Sequence, residues 1–274
     1  MIGRESMFHN LAQLIRYRGL IQSLVARELK ARYRGSVLGF FWSFINPLML
    51  LLVYSFVFEF VLPNRSPEKP YALFLFCGLL PWTWFSSSVL EASGILISGG
   101  NLIKKVLFPA EVLPIVTVLS NMVHFLFGLP ILVGFLIYYR RPVEFPEVLW
   151  FPVVLLTQFI LTVGMALIVS ALTVHFRDIK DILGNLMTFW FFATPIIYPM
   201  TGIEKGSLQR TLLNLNPFTH LAISYQELLF YPGNPPGPFG HWRGLLLLLL
   251  ASIALFLAGY FLFDRLRDSF AEEV

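Results

Sequence analysis

Six apolar stretches, near residues 37–61, 71–97, 112–138, 149–174, 182–200 and 244–263, are long enough and poor enough in charge to cross a bilayer. A hydrocarbon core about 30 Å thick takes about 20 helical residues. Inside it every backbone N–H and C=O must be satisfied within the protein, which favours helices for segments of this length. The expected fold is therefore an all-α polytopic membrane protein with six transmembrane helices. Composition agrees, since 57% of the 274 residues are hydrophobic and 13% charged, against about 25% charged in soluble domains. The formal charge of +4 is no sign of nucleic-acid binding, because the meaning of each Lys or Arg depends on its side of the membrane.

An even number of spans puts both termini on one side. The N-terminal segment, the loops near 98–111 and 175–181 and the C-terminal tail hold roughly thirteen of the twenty basic residues, seven of them in the N-terminal segment. Both termini are therefore expected in the cytoplasm. Met1 to Gln13 is polar and the first apolar run lies too deep for a cleavable leader, so the first span is expected to act as the insertion signal. Cys77, the single cysteine, excludes an intrachain disulfide or a cysteine cluster and reads as a buried, inert thiol.

No domain boundary is visible. Residues 1–274 read as one membrane domain: a cytoplasmic segment at 1–36, spans one to five over 37–200, an outer cap and linker at 201–243, and the last span and tail at 244–274. The cap contains TLLNLNPFTHLAISYQELLFY, apolar but broken by Pro217. It forms either two short re-entrant helices, tolerated at membrane depth only where protein or a water-filled cavity surrounds them, or an amphipathic helix resting on the outer surface. The PGNPPGPFG run at 232–240 is a turn-rich linker.

The segment entering the first span is basic and amphipathic. At about 100° per residue, Leu14, Tyr17, Ile21, Leu24, Val25 and Leu29 share one arc, while Arg16, Ser23, Arg27 and Arg34 lie opposite. This is the pattern of a helix in the headgroup plane, its apolar side in acyl chains and its arginines toward phosphate or a partner. Glu28 interrupts the apolar arc, and Arg32, four residues on, is placed to neutralise it. A basic flank that only orients the first span is the plainer alternative.

No P-loop is present, because GILISGGN at 94–101 lacks the Lys-Ser/Thr pair that holds phosphate and magnesium. The five histidines make no metal-binding pair. No catalytic residue or metal ligand is therefore assigned. Among polar residues within spans, Glu59 either reaches water or is functional, Glu91 lies deeper among small residues, and Asn121, His124, Gln158 and Asn185 are uncharged. His124 reads as a hydrogen-bonded packing residue, since no carboxylate is near it in sequence. Aromatic side chains make up 16% of the chain; membrane belts explain many of them, and a glycan conduit would also use such rings. The inner loop IKKVLFPAEVLP at 103–114 is the most distinctive short stretch. Charge asymmetry accounts for Lys104 and Lys105 but not for Phe108, Pro109 and Glu111, which suggest a turn presenting Phe108 to a cytoplasmic partner.

These pieces resemble a known family, the permease subunits of ABC exporters for polysaccharides such as O-antigen, capsule and teichoic acid. The resemblance is carried by RELKARYRGSVLG at 27–39, WSFINP at 42–47, NLIKKVLFPAEVLP at 101–114, FRDI at 176–179, PIIYP at 195–199 and NPFTHL at 216–221. It implies a multi-pass protein of the bacterial cytoplasmic (inner) membrane and a homodimer enclosing a channel. It also implies two copies of a separate ATPase that holds the ATP and Mg, and a lipid-linked polysaccharide as cargo; among such glycans the cargo is read as O-antigen. On the same resemblance, Arg27, Glu28, Lys30, Arg32 and Arg34 belong to an interface helix, and its arginines are expected to face the lipid-phosphate end of the cargo. Asn101, Lys104, Lys105, Phe108, Pro109 and Glu111 form the ATPase-coupling element, with Phe176, Arg177 and Asp178 in a second contact. Asn216, Pro217, Phe218 and Tyr225 belong to an outer re-entrant cap. An ABC permease for a small lipid or drug is the nearer alternative. A membrane-embedded polyprenyl-sugar transferase is the more distant one, and the dispersed carboxylates argue against it.

Overall fold

The computed structural model describes residues 16–61, 68–104, 108–141, 145–204, 206–231 and 239–273, and among these there are helices and turns but no strand. Lys105, Leu14 and most of the proline-rich linker lie outside the described residues. Helix α1 runs Arg18–Arg32. Gly35 and Gly39, with φ of +79° and +49°, turn the chain from it through backbone conformations that side chains disfavour. A 3-10 turn, Gly39–Phe41, then leads into α2, Trp42–Ser55, which a π-helical segment, Phe56–Val61, extends.

Four of the six expected spans are helices long and apolar enough to cross a membrane: α3 (Tyr71–Ser98), α5 (Val112–Tyr138), α6 (Phe151–His175) and α10 (Trp242–Glu273). A single turn, α4 (Gly100–Ile103), links α3 toward α5. The other two stretches form shorter helices, α2 and α7 (Ile179–Phe192). Helix α7 begins three residues before the expected 182 and stops at Ala193 instead of running to 200. Proline explains the stop: Thr194 precedes Pro195, whose ring drives the preceding residue out of the helical region, and Pro199 follows. At about 1.5 Å per residue, the 14 residues of α7 fall short of a full crossing. Helix α10, in contrast, continues well past residue 263.

Helix α3 is apolar all round and correspondingly buried, with Tyr71 through Trp82 inside the protein. It packs against α5 and α6, while α6 also packs along α10. Lipid tails are as apolar as Leu, so close packing and interhelical hydrogen bonds hold such a bundle together. Both are present. Trp84 Nε1 donates to the Val118 carbonyl at 3.1 Å, and Gln158 Nε2 donates to the Pro81 carbonyl at 2.8 Å. Where α6 crosses α10, a Cβ on Gly164 would lie 3.0 Å from the Phe256 backbone, and one on Gly259 would lie 2.7 Å from the Gly164 carbonyl oxygen. Only glycine allows that approach.

The region expected as a cap folds as α8 (Leu208–Leu215) and α9 (Pro217–Leu229), which meet at an elbow. Helix α8 has no buried residue, whereas α9 buries Phe218, Leu221, Ala222, Tyr225 and Leu228. The break falls at Pro217, where the sequence places it.

Candidate functional site

The basic part of the site is built on α1. Its apolar arc meets protein where acyl chains were expected: Leu24 is buried against Val112 and Val116 of α5, with Tyr17, Leu20, Ile21, Val25 and Phe108 around it. Arg27, Lys30 and Arg34 stay exposed on the other face. Glu28 points to the packed side, where its carboxylate lies 3.7 Å from the Arg32 guanidinium. Burial pushes the Glu28 carboxyl above its ordinary range, Arg32 works against that shift, and Glu91 adds to it.

Arg32 reaches further than the helical pair. Its Nη2 contacts Glu91 Oε2 at 2.8 Å and its Nη1 donates to Asn121 Oδ1 at 3.1 Å. Asn121 Nδ2 in turn donates to Glu91 Oε2 at 2.7 Å. The next residue, Tyr33, places its hydroxyl 3.1 Å from His124 Nδ1, and the two rings meet edge to face. Three helices thus contribute to one polar cluster. Sequence reading noted Glu91, Asn121 and His124 separately but missed that they converge; the one clue was a charge within a span that needed a partner.

Two cavities share Arg32. The first, about 450 Å³, lies between α2 and the α3/α5 pair and is lined by rings such as Trp42, Trp84 and Phe125 together with Asn46, Ser87 and Asn121. The second, about 1080 Å³, is a groove between α1, the C-terminal end of α3 and the N-terminal end of α5, lined by Arg27, Lys30 and Arg34 as well as Ser98 and Asn101.

The expected coupling residues divide. Asn101, Lys104, Phe176, Arg177 and Asp178 are exposed. Phe108 is half-buried against the bundle and Pro109 is buried. Glu111 faces inward, with 4% of its surface exposed and its carboxylate 3.8 Å from Arg267. Burial raises its carboxyl above the ordinary range, and Arg267 lowers it only in part. Sequence reading missed the partner, because the end of α10 was taken as a simple tail. That end also packs beside the second contact: His175 Nε2 lies 3.0 Å from Ser269 Oγ, and Phe270 is fully buried beside the His175 ring.

At the cap, Asn216 uses its whole side chain. Its Oδ1 accepts from the Phe218 backbone N–H at 3.0 Å, capping α9, and from Trp190 Nε1 at 2.6 Å. Its Nδ2 donates to the Ala193 carbonyl and to Thr194 Oγ1, each at 2.9 Å. The elbow is thereby tied to the end of α7, and Pro217 opens α9 where no N–H is needed. Phe218 packs edge to face on Trp82 at 4.9 Å, and Tyr225 is buried between Phe125 and Phe151. Nearby, the rings of His220 and His241 share a 2.9 Å hydrogen bond, and the His241 backbone N–H donates to Glu227 Oε2 at 2.9 Å. Burial pushes Glu227 up to about 7 and pulls His241 down to about 4.

Comparison with known proteins gives a consistent set of relatives. The model for the ABC-2 type transporter family matches residues 19–230. The chain is 41% identical over 268 residues to the O-antigen export system permease protein RfbA of Myxococcus xanthus, covering 98% of this chain and 100% of that one. It is 32% identical over 267 residues to a protein of the same description from Klebsiella pneumoniae, covering 97% and 98%. A more distant relative is the polysialic acid transport protein KpsM of Escherichia coli, 24% identical over 217 residues, 78% of this chain and 81% of that one.

Proposed function

Since this chain belongs to the ABC-2 type transporter family, we propose that it is the channel-forming permease subunit of an exporter that moves a lipid-linked polysaccharide, O-antigen, across the bacterial inner membrane. It is a permease and not an enzyme; ATP hydrolysis falls to a separate ATPase. The observation that carries the reading is the 41% identity with an O-antigen export permease, extending through 98% of the chain.

In this reading α2 with its π-helical extension is the first span and α7 the fifth, both completed by neighbours in a homodimer, with both termini in the cytoplasm. The two helices touch through Tyr54 and Phe191. Together they leave Phe56, Phe60, Phe189 and Phe192 exposed, which supports a ring-lined face around a channel. Helices α8 and α9 form the outer re-entrant cap. Two ATPase copies bind ATP and Mg and press on Asn101 to Glu111 and on Phe176 to Asp178. A few kcal/mol of differential contact is enough to bias a gate. Arg27 and Arg34, facing the basic groove with Lys30, receive the phosphate of the lipid carrier.

The test is co-purification with the ATPase encoded beside it, followed by hydrolysis and export assays on wild type and on Phe108→Ala combined with Glu111→Ala. A stable complex whose coupled export collapses in the double variant is expected. No association with an ATPase would overturn the reading.

A further inference from the structure

The two cavities that meet at Arg32 differ in chemistry. The larger groove offers Arg27, Lys30 and Arg34, which make no salt bridge among the described residues and so keep their charge available to an anion. The smaller is walled by rings, including Trp42, Trp84 and Phe125, and by Leu50, Leu79 and Leu80, and its size falls within the roughly 300–1,000 Å³ of small-molecule sites. Its polar lining is what an acyl or prenyl chain would not need. Asn46 and Ser87 face it without a side-chain hydrogen bond among the described residues, and Asn121 borders it while held by Glu91 and Arg32. Rings that stack on apolar C–H faces, combined with amide and hydroxyl groups that pair with hydroxyls, are the chemistry of sugar recognition.

We infer that the 450 Å³ cavity is a saccharide subsite that takes the first sugar ring of the lipid-linked cargo, with Arg32 at the junction between sugar and phosphate. This rests on the proposed function and deepens it. In such a substrate the phosphate is esterified directly to the anomeric carbon of the first sugar, so a site reading both must place an anion groove and a sugar pocket side by side. One residue, Arg32, lines both cavities. Its partners Glu28, Glu91 and Asn121 hold the guanidinium in that shared wall. The subsite selects cargo that has begun to be glycosylated over the bare lipid carrier.

The test compares two probes, farnesyl phosphate and farnesyl phosphoglucose, titrated into the permease–ATPase complex in nanodiscs. Wild type is expected to bind the glucosylated lipid about tenfold more tightly, the scale of one stacking contact with a hydrogen bond. Ser87→Leu, which fills the cavity, and separately Asn46→Leu should erase that preference and leave farnesyl phosphate binding in place, with thermal unfolding reporting that each variant is folded. Equal wild-type binding of the two lipids, absence of binding by either, or a preference that survives both variants would overturn the subsite. Weakening of both lipids by Ser87→Leu would also overturn it and assign the cavity to the prenyl chain. ATPase association, read in the same preparation, and export, read in cells carrying the same variants, report separately on the permease function.

Discussion

Two polar clusters hold this bundle, and they are built differently. At the elbow between α8 and α9, Asn216 makes four hydrogen bonds that tie α9 to the end of α7, beside the closely packed rings of Phe218, Trp82 and Phe85. At the end of α1, Arg32 serves two carboxylates and an amide while remaining 28% exposed between two cavities. A cluster with every group committed fixes a shape. One with alternative partners and room beside it can exchange a protein contact for a ligand at small cost.

The contrast can be broken first at the elbow. Asn216→Ala leaves an indole N–H, a helix-start N–H and a carbonyl short of partners, and should cost about 3 kcal/mol, seen as a large drop in the unfolding temperature of the reconstituted protein. A drop of only a degree or so would remove the distinction between the two clusters. Arg32→Gln should cost about 1 kcal/mol, because the ion pairs it loses are partly solvated; export, however, should fall severely. Arg267→Gln removes a half-exposed contact to Glu111 and should change stability by less than about 1 kcal/mol, while lowering the export obtained per ATP hydrolysed.

The smallest effect is a pH dependence at the cap. With Glu227 pushed up from 4.5 to about 7, the folded cap keeps a proton that the unfolded chain has released, so its contribution falls as pH rises between those values. With His241 pulled down from 6.5 to about 4, the opposite holds, and stability falls as pH drops across that interval. The two slopes oppose each other where they overlap. Glu227→Gln leaves the histidine slope alone, so the unfolding temperature of the variant should climb more steeply with pH from 4 to 6.5 than that of wild type.

The long spans were legible because an unbroken apolar run of membrane length has few other uses, and Pro217 marked the elbow. The Glu28 and Arg32 pair was legible because helical spacing alone brings them together. Its extension to Glu91 and Asn121 was hidden, since those partners lie 59 and 89 residues away and only the packing of α1 on α5 brings them near. The early stop of α7 was written in Thr194 and Pro195, but hydropathy continuing to residue 200 masked it. The length of α10 was hidden for the reverse reason. Past residue 263 its sequence turns polar, yet Phe270 still finds a buried site beside His175.

Helix α10 carries 32 residues without a break, about 48 Å at the helical rise. At its start lie His241 and the Glu227 contact, and at its end Arg267, Ser269 and Phe270 bear on Glu111 and His175. Midway, Gly164 and Gly259 hold it against α6 too closely for either helix to slide freely. It has the form of a stiff strut clamped at its middle: the Glu111 and His175 contacts at one end and the Glu227 contact at the other are joined by one unbroken helix, without passing through the polar cluster around Arg32.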